Sequence, residues 1–318
     1  MTKIKAPESP LPSPAANRGP LDWLGFAGLV LCWGGSFAGI KLAVGDFGPY
    51  WLAAARLGIA TALMIGFALV AGIRLPRGSR EWGQLTAVGL LGTAAPFILI
   101  GWATQHVPSG IAGLMMAFNP ILVLMASIIL LPEEKVTPLR LTGFLLGFAG
   151  VSLVIIAREP IPLDALGGGL APFIALLLGS AGYAANAIGG RMVRTIPPMT
   201  RVFGILIVAT IATTIAAALI APLPGPIGWP ALFGALYLGS FSTFLAYLIL
   251  FWLVARTSAG FVAQSNYLVP ATAIVLGAIM LGERLHPLQY VGFLVILGGV
   301  AIAENIFRRR KIIPPPPA

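Results

Sequence analysis

Charge is scarce in this chain. Asp, Glu, Lys and Arg make up 9% of its 318 residues, against about 25% in a soluble domain. That is too little to keep a soluble surface wetted. Acidic residues number 10 and histidines 2. None of the acids falls in the middle of an apolar segment, so the membrane-centred carboxylate common in proton-driven pumps is missing. Cysteine occurs once, as Cys32 inside the first apolar segment. An internal disulfide and a cysteine-based metal cluster are excluded, and Cys32 reads as helix packing. No HExxH, phosphate loop, nucleophile elbow or dinucleotide fingerprint is present. The GGG at 167–169 opens an apolar segment and lacks phosphate-loop context. No catalytic residue, cofactor or metal is expected, and an enzyme is disfavoured.

What the chain has is apolar length. Hydrophobic residues reach 58%, and mean hydropathy is +0.94. Ten segments are expected to cross a membrane: about 22–42, 49–72, 82–104, 109–131, 138–157, 167–190, 201–221, 229–253, 258–281 and 287–307. Most hold about 20 residues, enough for a hydrocarbon core of about 30 Å. The connections are short, so a single membrane bundle is expected. Residues 1–21 carry five prolines and read as a disordered tail. They do not read as a signal peptide, because no apolar core with a cleavage site comes first. Residues 308–318 form a basic, proline-rich tail.

The net charge of +10 does not indicate nucleic acid, because the charges sit between apolar segments. They report orientation instead. With a cytoplasmic N terminus, 16 Lys and Arg fall inside and 3 outside, namely Lys41, Arg158 and Arg284. Both termini are then cytoplasmic, and the lipid bilayer is the expected surrounding. Arg56 alone lies inside a span.

The chain also repeats itself. Gly110, Pro120, Leu131, Glu133, Pro138, Gly143 and Gly150 fall opposite Gly260, Pro270, Leu281, Glu283, Pro287, Gly292 and Gly299. LLGTAAPF at 90–97 parallels YLGSFSTF at 237–244. Five spans per half is an odd number, so the second half must be inverted relative to the first. The expected fold is an all-α integral membrane protein with ten transmembrane helices in two inverted five-helix repeats. The repeats are 22–157 and 167–307, joined by an outer loop at 158–166. Such repeats commonly enclose the binding site of a secondary transporter.

WGGSF at 33–37, Lys41, Pro49 and Arg56 occupy the first two spans. Each half ends alike, with LLPEEKVTPLRLTGFLLGFAGV at 130–151 and MLGERLHPLQYVGFLVILGGV at 280–300. This pattern resembles the EamA family of the drug/metabolite transporter superfamily over about residues 22–307. The resemblance implies a ten-span inner-membrane carrier, with amino acids and related metabolites as the usual exported substrates. It also implies that the fifth and tenth helices pack peripherally, where they would support a homodimer. A monomer is favoured.

Within the spans, Arg56 reads either as an interface anchor or as a cation facing a cavity. The ninth span holds Gln264 and Asn266 just before Pro270, and the fourth holds Asn119 beside Pro120. A proline inside a span frees a carbonyl and breaks the helix, which is tolerated where a cavity is lined. Tyr183, Tyr247 and Trp102 are aromatic candidates for contact with a planar ligand; packing is the competing reading. The expected function is export of small metabolites, amino acids or amphipathic analogues, from a bacterial cell by alternating access. Broad drug export and a solute channel are the alternatives.

Overall fold

The structure is a computed structural model. It describes residues 19–106, 119, 122, 138–156, 170–192, 195–257, 261–262, 265, 268–269, 272, 275–276 and 287–303. Among these, every regular element is helical. Eight of the ten expected spans coincide with described helices. The fourth falls almost wholly, and the ninth mostly, outside the described residues.

Helix α1 spans Pro20–Gly34. Proline suits the first helical position because its missing N–H has no partner there anyway. The Asp22 carboxylate accepts the Gly19 N–H at 2.9 Å, a negative charge at the positive helix end. Helix α2 spans Ser36–Ala71, and Gly48 within it has φ 67° and ψ 167°. That backbone region is open essentially to glycine alone, and Pro49 bars its predecessor from the helical region.

The chain folds back at Gly48. The limb before it runs along α8 (Trp229–Gly239), with the Asp46 carboxylate accepting the Gly228 N–H at 2.9 Å. Lower down, a Cβ on Gly39 would stand 3.1 Å from Leu238. The limb after Gly48 meets the same region from the other side. Trp51 Nε1 donates to the Pro222 carbonyl at 2.9 Å, and a Cβ on Gly239 would stand 2.5 Å from Ile59. The expected loop between the first two spans is thus reduced to a one-residue reversal.

Helices α3 (Ser79–Gly89) and α4 (Ala95–Ala103) form one rod through a π turn, π1, at Leu90–Ala94. Helix α5 is Pro138–Ile156, α6 is Ala171–Met192 and α7 is Pro198–Ile220. Helix α8 continues through a second π turn, π2, at Ser240–Leu245 into α9 (Ala246–Arg256). Helix α10 is Pro287–Ala303. The two π turns begin 150 positions apart, at 90 and 240. Gly89 therefore answers to Gly239, and Thr93 to Thr243. The sequence pairing of 90–97 with 237–244 is three residues out, because the local match of LG pairs outweighed the offset fixed by the rest of the repeat.

Alanine is the commonest residue of the described buried core, followed by leucine and isoleucine. One cluster joins Ala43, Leu52, Ile100, Leu176, Ala235 and Leu238. A second joins Leu57, Ala60, Met64, Leu206 and Ala209. Small side chains let helix backbones approach, as membrane bundles require. Many large apolar groups also point outward: Val70 is 91% exposed and Leu219 81%. An outer face of this kind suits lipid. Helices α5 and α10 pack chiefly on each other among the described elements, in line with the expected peripheral placement.

Candidate functional site: a polar centre between the two halves

Pro96 lies in the first turn of α4, and its missing N–H leaves the carbonyl of Gly92, four residues earlier, without its helical partner. Asn186 on α6 fills the gap. Its Nδ2 donates to the Gly92 carbonyl and to Thr93 Oγ1, both at 3.0 Å. Gly92 has to lack a side chain, since a Cβ there would stand 2.8 Å from the Asn186 Cβ.

The second π turn has no proline. Its widened register is filled by hydroxyls: Thr243 Oγ1 donates to the Leu238 carbonyl, five residues back, at 2.8 Å. Ser240 Oγ donates to the Leu236 carbonyl at 2.5 Å. Hydroxyl side chains often satisfy carbonyls in this way, and π turns gather at functional sites.

Arg56 sits against this second turn. It is 8% exposed, enclosed by helices, as a cation facing the bundle interior requires. Its Nε donates to Thr243 Oγ1 at 2.8 Å, and its Nη2 to Ser242 Oγ at 3.2 Å. The guanidinium lies 4.0 Å from the centroid of the Phe97 ring, a favourable cation–π distance.

Aromatic groups complete the centre. Tyr183 meets Phe97 edge-on, with centroids 6.1 Å apart, and lies within electrostatic reach of Arg56 and Tyr247. Tyr247 in turn lies within reach of Arg56, Thr93 and Asn186. Asn119 Nδ2 donates to the Ser180 carbonyl at 2.9 Å, one turn of α6 from Tyr183. The Ser180 hydroxyl itself is fully buried and has no hydrogen-bond partner among the described residues.

Of the candidate residues, then, Arg56, Tyr183 and Tyr247 converge, and Asn119 joins the same face of α6. Trp102 packs against the cluster that also holds Tyr183, but its ring turns to His106, 4.6 Å away. Gln264, Asn266, Pro120 and Pro270 lie outside the described residues. Sequence reasoning passed over Phe97, Thr93, Ser242 and Thr243. The available signal was small hydroxyl residues concentrated in otherwise apolar segments.

The contacts made by the Arg56, Asn119 and Asn186 side chains each join one half of the chain to the other. Arg56, Thr93 and Asn119 come from the first half, and Ser180, Asn186, Ser242 and Thr243 from the second. Thr61 and Thr210 add another such pair, their hydroxyl oxygens 2.7 Å apart.

A helical membrane bundle with a buried polar seam between halves is the architecture of a membrane transporter. The model of the EamA-like transporter family matches residues 23–156 and again 170–304, and the chain belongs to that family. It is 28% identical over 298 residues to the "Probable terminal-alkyne amino-acid exporter" of Streptantibioticus cattleyicolor, covering 90% of this chain and 95% of that one. It is 26% identical over 294 residues to the "Uncharacterized inner membrane transporter YedA" of Escherichia coli strain K12, covering 90% and 92%. A solved crystal structure shares the fold at a TM-score of 0.73 and 20% identity, over 93% of this chain and 99% of that one.

Proposed function

We propose that this chain is a bacterial inner-membrane carrier that exports small amphipathic metabolites, amino acids or their analogues. The observation that carries this reading is the placement of the polar centre. Arg56, Asn186 and the two π turns meet where the two repeats touch. A ligand held there contacts both halves. Rocking one half against the other would open the same site to each side in turn.

The ten-span inverted topology and the cytoplasmic position of both termini belong to this reading. So does a site that includes Arg56, Tyr183, Tyr247, Asn119 and Trp102, with Gln264, Asn266 and the helix breaks at Pro120 and Pro270 contributing from the remaining spans. The exporter name of the 28% identical relative supports amino-acid-like substrates over drugs.

The test is counterflow in proteoliposomes with a panel of labelled amino acids. Saturable exchange, accelerated by unlabelled substrate on the opposite side, is the expected result. Ohmic current without counterflow would replace the carrier with a channel. Exchange of drug-like compounds with no amino acid accepted would move the substrate class to broad drug export. Asn266→Ala is expected to weaken exchange, and unchanged flux would remove Asn266 from the site.

A further inference from the structure

Arg56 is a permanent cation held in the interior of the bundle. Its described partners are all neutral: two hydroxyls and an aromatic face. Among the described residues, the groups close enough to act on it electrostatically are Tyr183, Tyr247 and Tyr237, with no carboxylate among them. The described acids are committed elsewhere. Asp22 pairs with Arg256 at 2.8 Å, Asp46 holds the Gly228 N–H, and Glu81 holds the Gly78 N–H.

The hydrogen-bond count leads the same way. A guanidinium carries five N–H donors in a planar fork. Two are used here, one from Nε and one from Nη2. The Nη1 pair and the second Nη2 hydrogen have no acceptor among the described residues. A fork with free parallel donors matches a carboxylate in two-point geometry. The ring of Phe97 lies against the guanidinium, and Tyr183 lies edge-on to Phe97, so an apolar wall stands directly beside the charge.

We infer that the substrate itself supplies the missing anion: the site takes amphipathic monocarboxylates, with the carboxylate on Arg56 and the apolar body against Phe97 and Tyr183. This rests on the reading of the chain as a carrier of small metabolites and narrows its substrate class. The ammonium of an amino acid meets no acidic partner at this centre among the described residues, so it is not what the site selects. α-Keto, α-hydroxy and N-acylated acids with an apolar tail belong to the same class as the amino acids. A phosphate monoester does not, because one guanidinium balances one negative charge.

The experiment uses the full chain in proteoliposomes, with labelled phenylalanine counterflow competed by five compounds at equal concentration. Phenyllactate, phenylpyruvate and N-acetylphenylalanine keep the carboxylate, whereas phenylalanine amide and phenethylamine lack it. The same compounds are tested for thermal stabilisation of the purified protein in detergent, which avoids passive leakage of the acids.

The three acids are expected to compete within a few-fold of phenylalanine, and the amide and amine roughly tenfold to a hundredfold more weakly. Arg56→Lys should keep the preference in reduced form, and Arg56→Met should erase it. The ligand series on the unsubstituted protein decides the matter even where Arg56→Met does not fold. If the amide or amine competes as well as the acids while counterflow persists, the carrier stands and the charge assignment is overturned. If nothing in the panel exchanges or binds, the amino-acid carrier reading falls, and this inference with it.

Discussion

Gly150 on α5 and Gly292 on α10 meet backbone to backbone: a Cβ on Gly150 would stand 2.8 Å from the Gly292 carbonyl oxygen. Gly299 repeats the contact against the Gly143 carbonyl at 2.7 Å. Because 143 and 150 answer to 292 and 299 in the repeat, the chain makes with itself the two-fold contact that a symmetric dimer makes between subunits. Gly150→Leu is expected to force the two helices apart, at a cost of about 1–3 kcal/mol. Gly58→Ala, where a Cβ meets nothing within 4 Å, should instead stabilise by about 0.5–1 kcal/mol. Thermal unfolding in detergent reads both. An unaltered melting temperature for Gly150→Leu would mean that the helices are not this close.

Gly48 and Gly45 offer a second contrast. Neither would bring a Cβ into contact with anything, but only Gly48 has a positive φ. Gly48→Ala should cost about 1–3 kcal/mol through backbone strain alone. Gly45→Ala, in ordinary helix, should be neutral or stabilising. Equal behaviour of the two variants would place the chain reversal somewhere other than Gly48.

Thr243 is the acceptor for Arg56 Nε and the donor to the Leu238 carbonyl. Thr243→Val keeps the shape and strips both bonds. It leaves a buried charged donor unsatisfied, for an expected loss of about 1–3 kcal/mol. Thr243→Ser should retain most of the stability. A valine variant as stable as the parent would show that Arg56 rests on other groups.

The Asp22–Arg256 bridge ties the start of α1 to the end of α9, and Arg256 also stacks on Trp252, 4.9 Å from the ring centroid. Arg256 is half exposed, so salt should screen the pair. Asp22→Asn is expected to lower the melting temperature at low ionic strength, with the gap closing as salt is raised. A gap that ignores salt would assign the effect to lost capping at Gly19.

Most of the helices were legible because each is an apolar run of membrane length, and the basic residues punctuate them. The reversal at Gly48 was only half visible: Gly-Pro marks a break, but nothing in the sequence says that one residue suffices. The π turns were hidden. An added residue per turn leaves no periodic trace in a segment that is apolar on every face, and Pro96 alone hinted at the carbonyl that Asn186 satisfies. Tyr183 and Tyr247 stood out as polar tips in greasy surroundings. Thr93, Ser242 and Thr243 did not, because serine and threonine are ordinary inside membrane helices, bonding their own carbonyls. The meeting of Arg56 with Thr243 spans 187 positions, and only the fold brings them together.

Where α1 gives way to α2, the Tyr237 hydroxyl stands within 3.1 Å of both the Leu31 and Cys32 carbonyls. It occupies the space that a side chain on Gly35 would need. The phenol thus adds a donor at a helix break where the Leu31 carbonyl already accepts the Gly35 N–H at 3.0 Å, and a bare Cα elsewhere makes room for it. The two positions are locked into a shared history. A descendant sequence with alanine at 35 has to surrender the phenol at 237 in the same step, and one that loses the phenol first takes this donor from the Cys32 carbonyl while gaining nothing from the glycine it still carries. Change at this corner is therefore expected to arrive in pairs, from residues 202 positions apart.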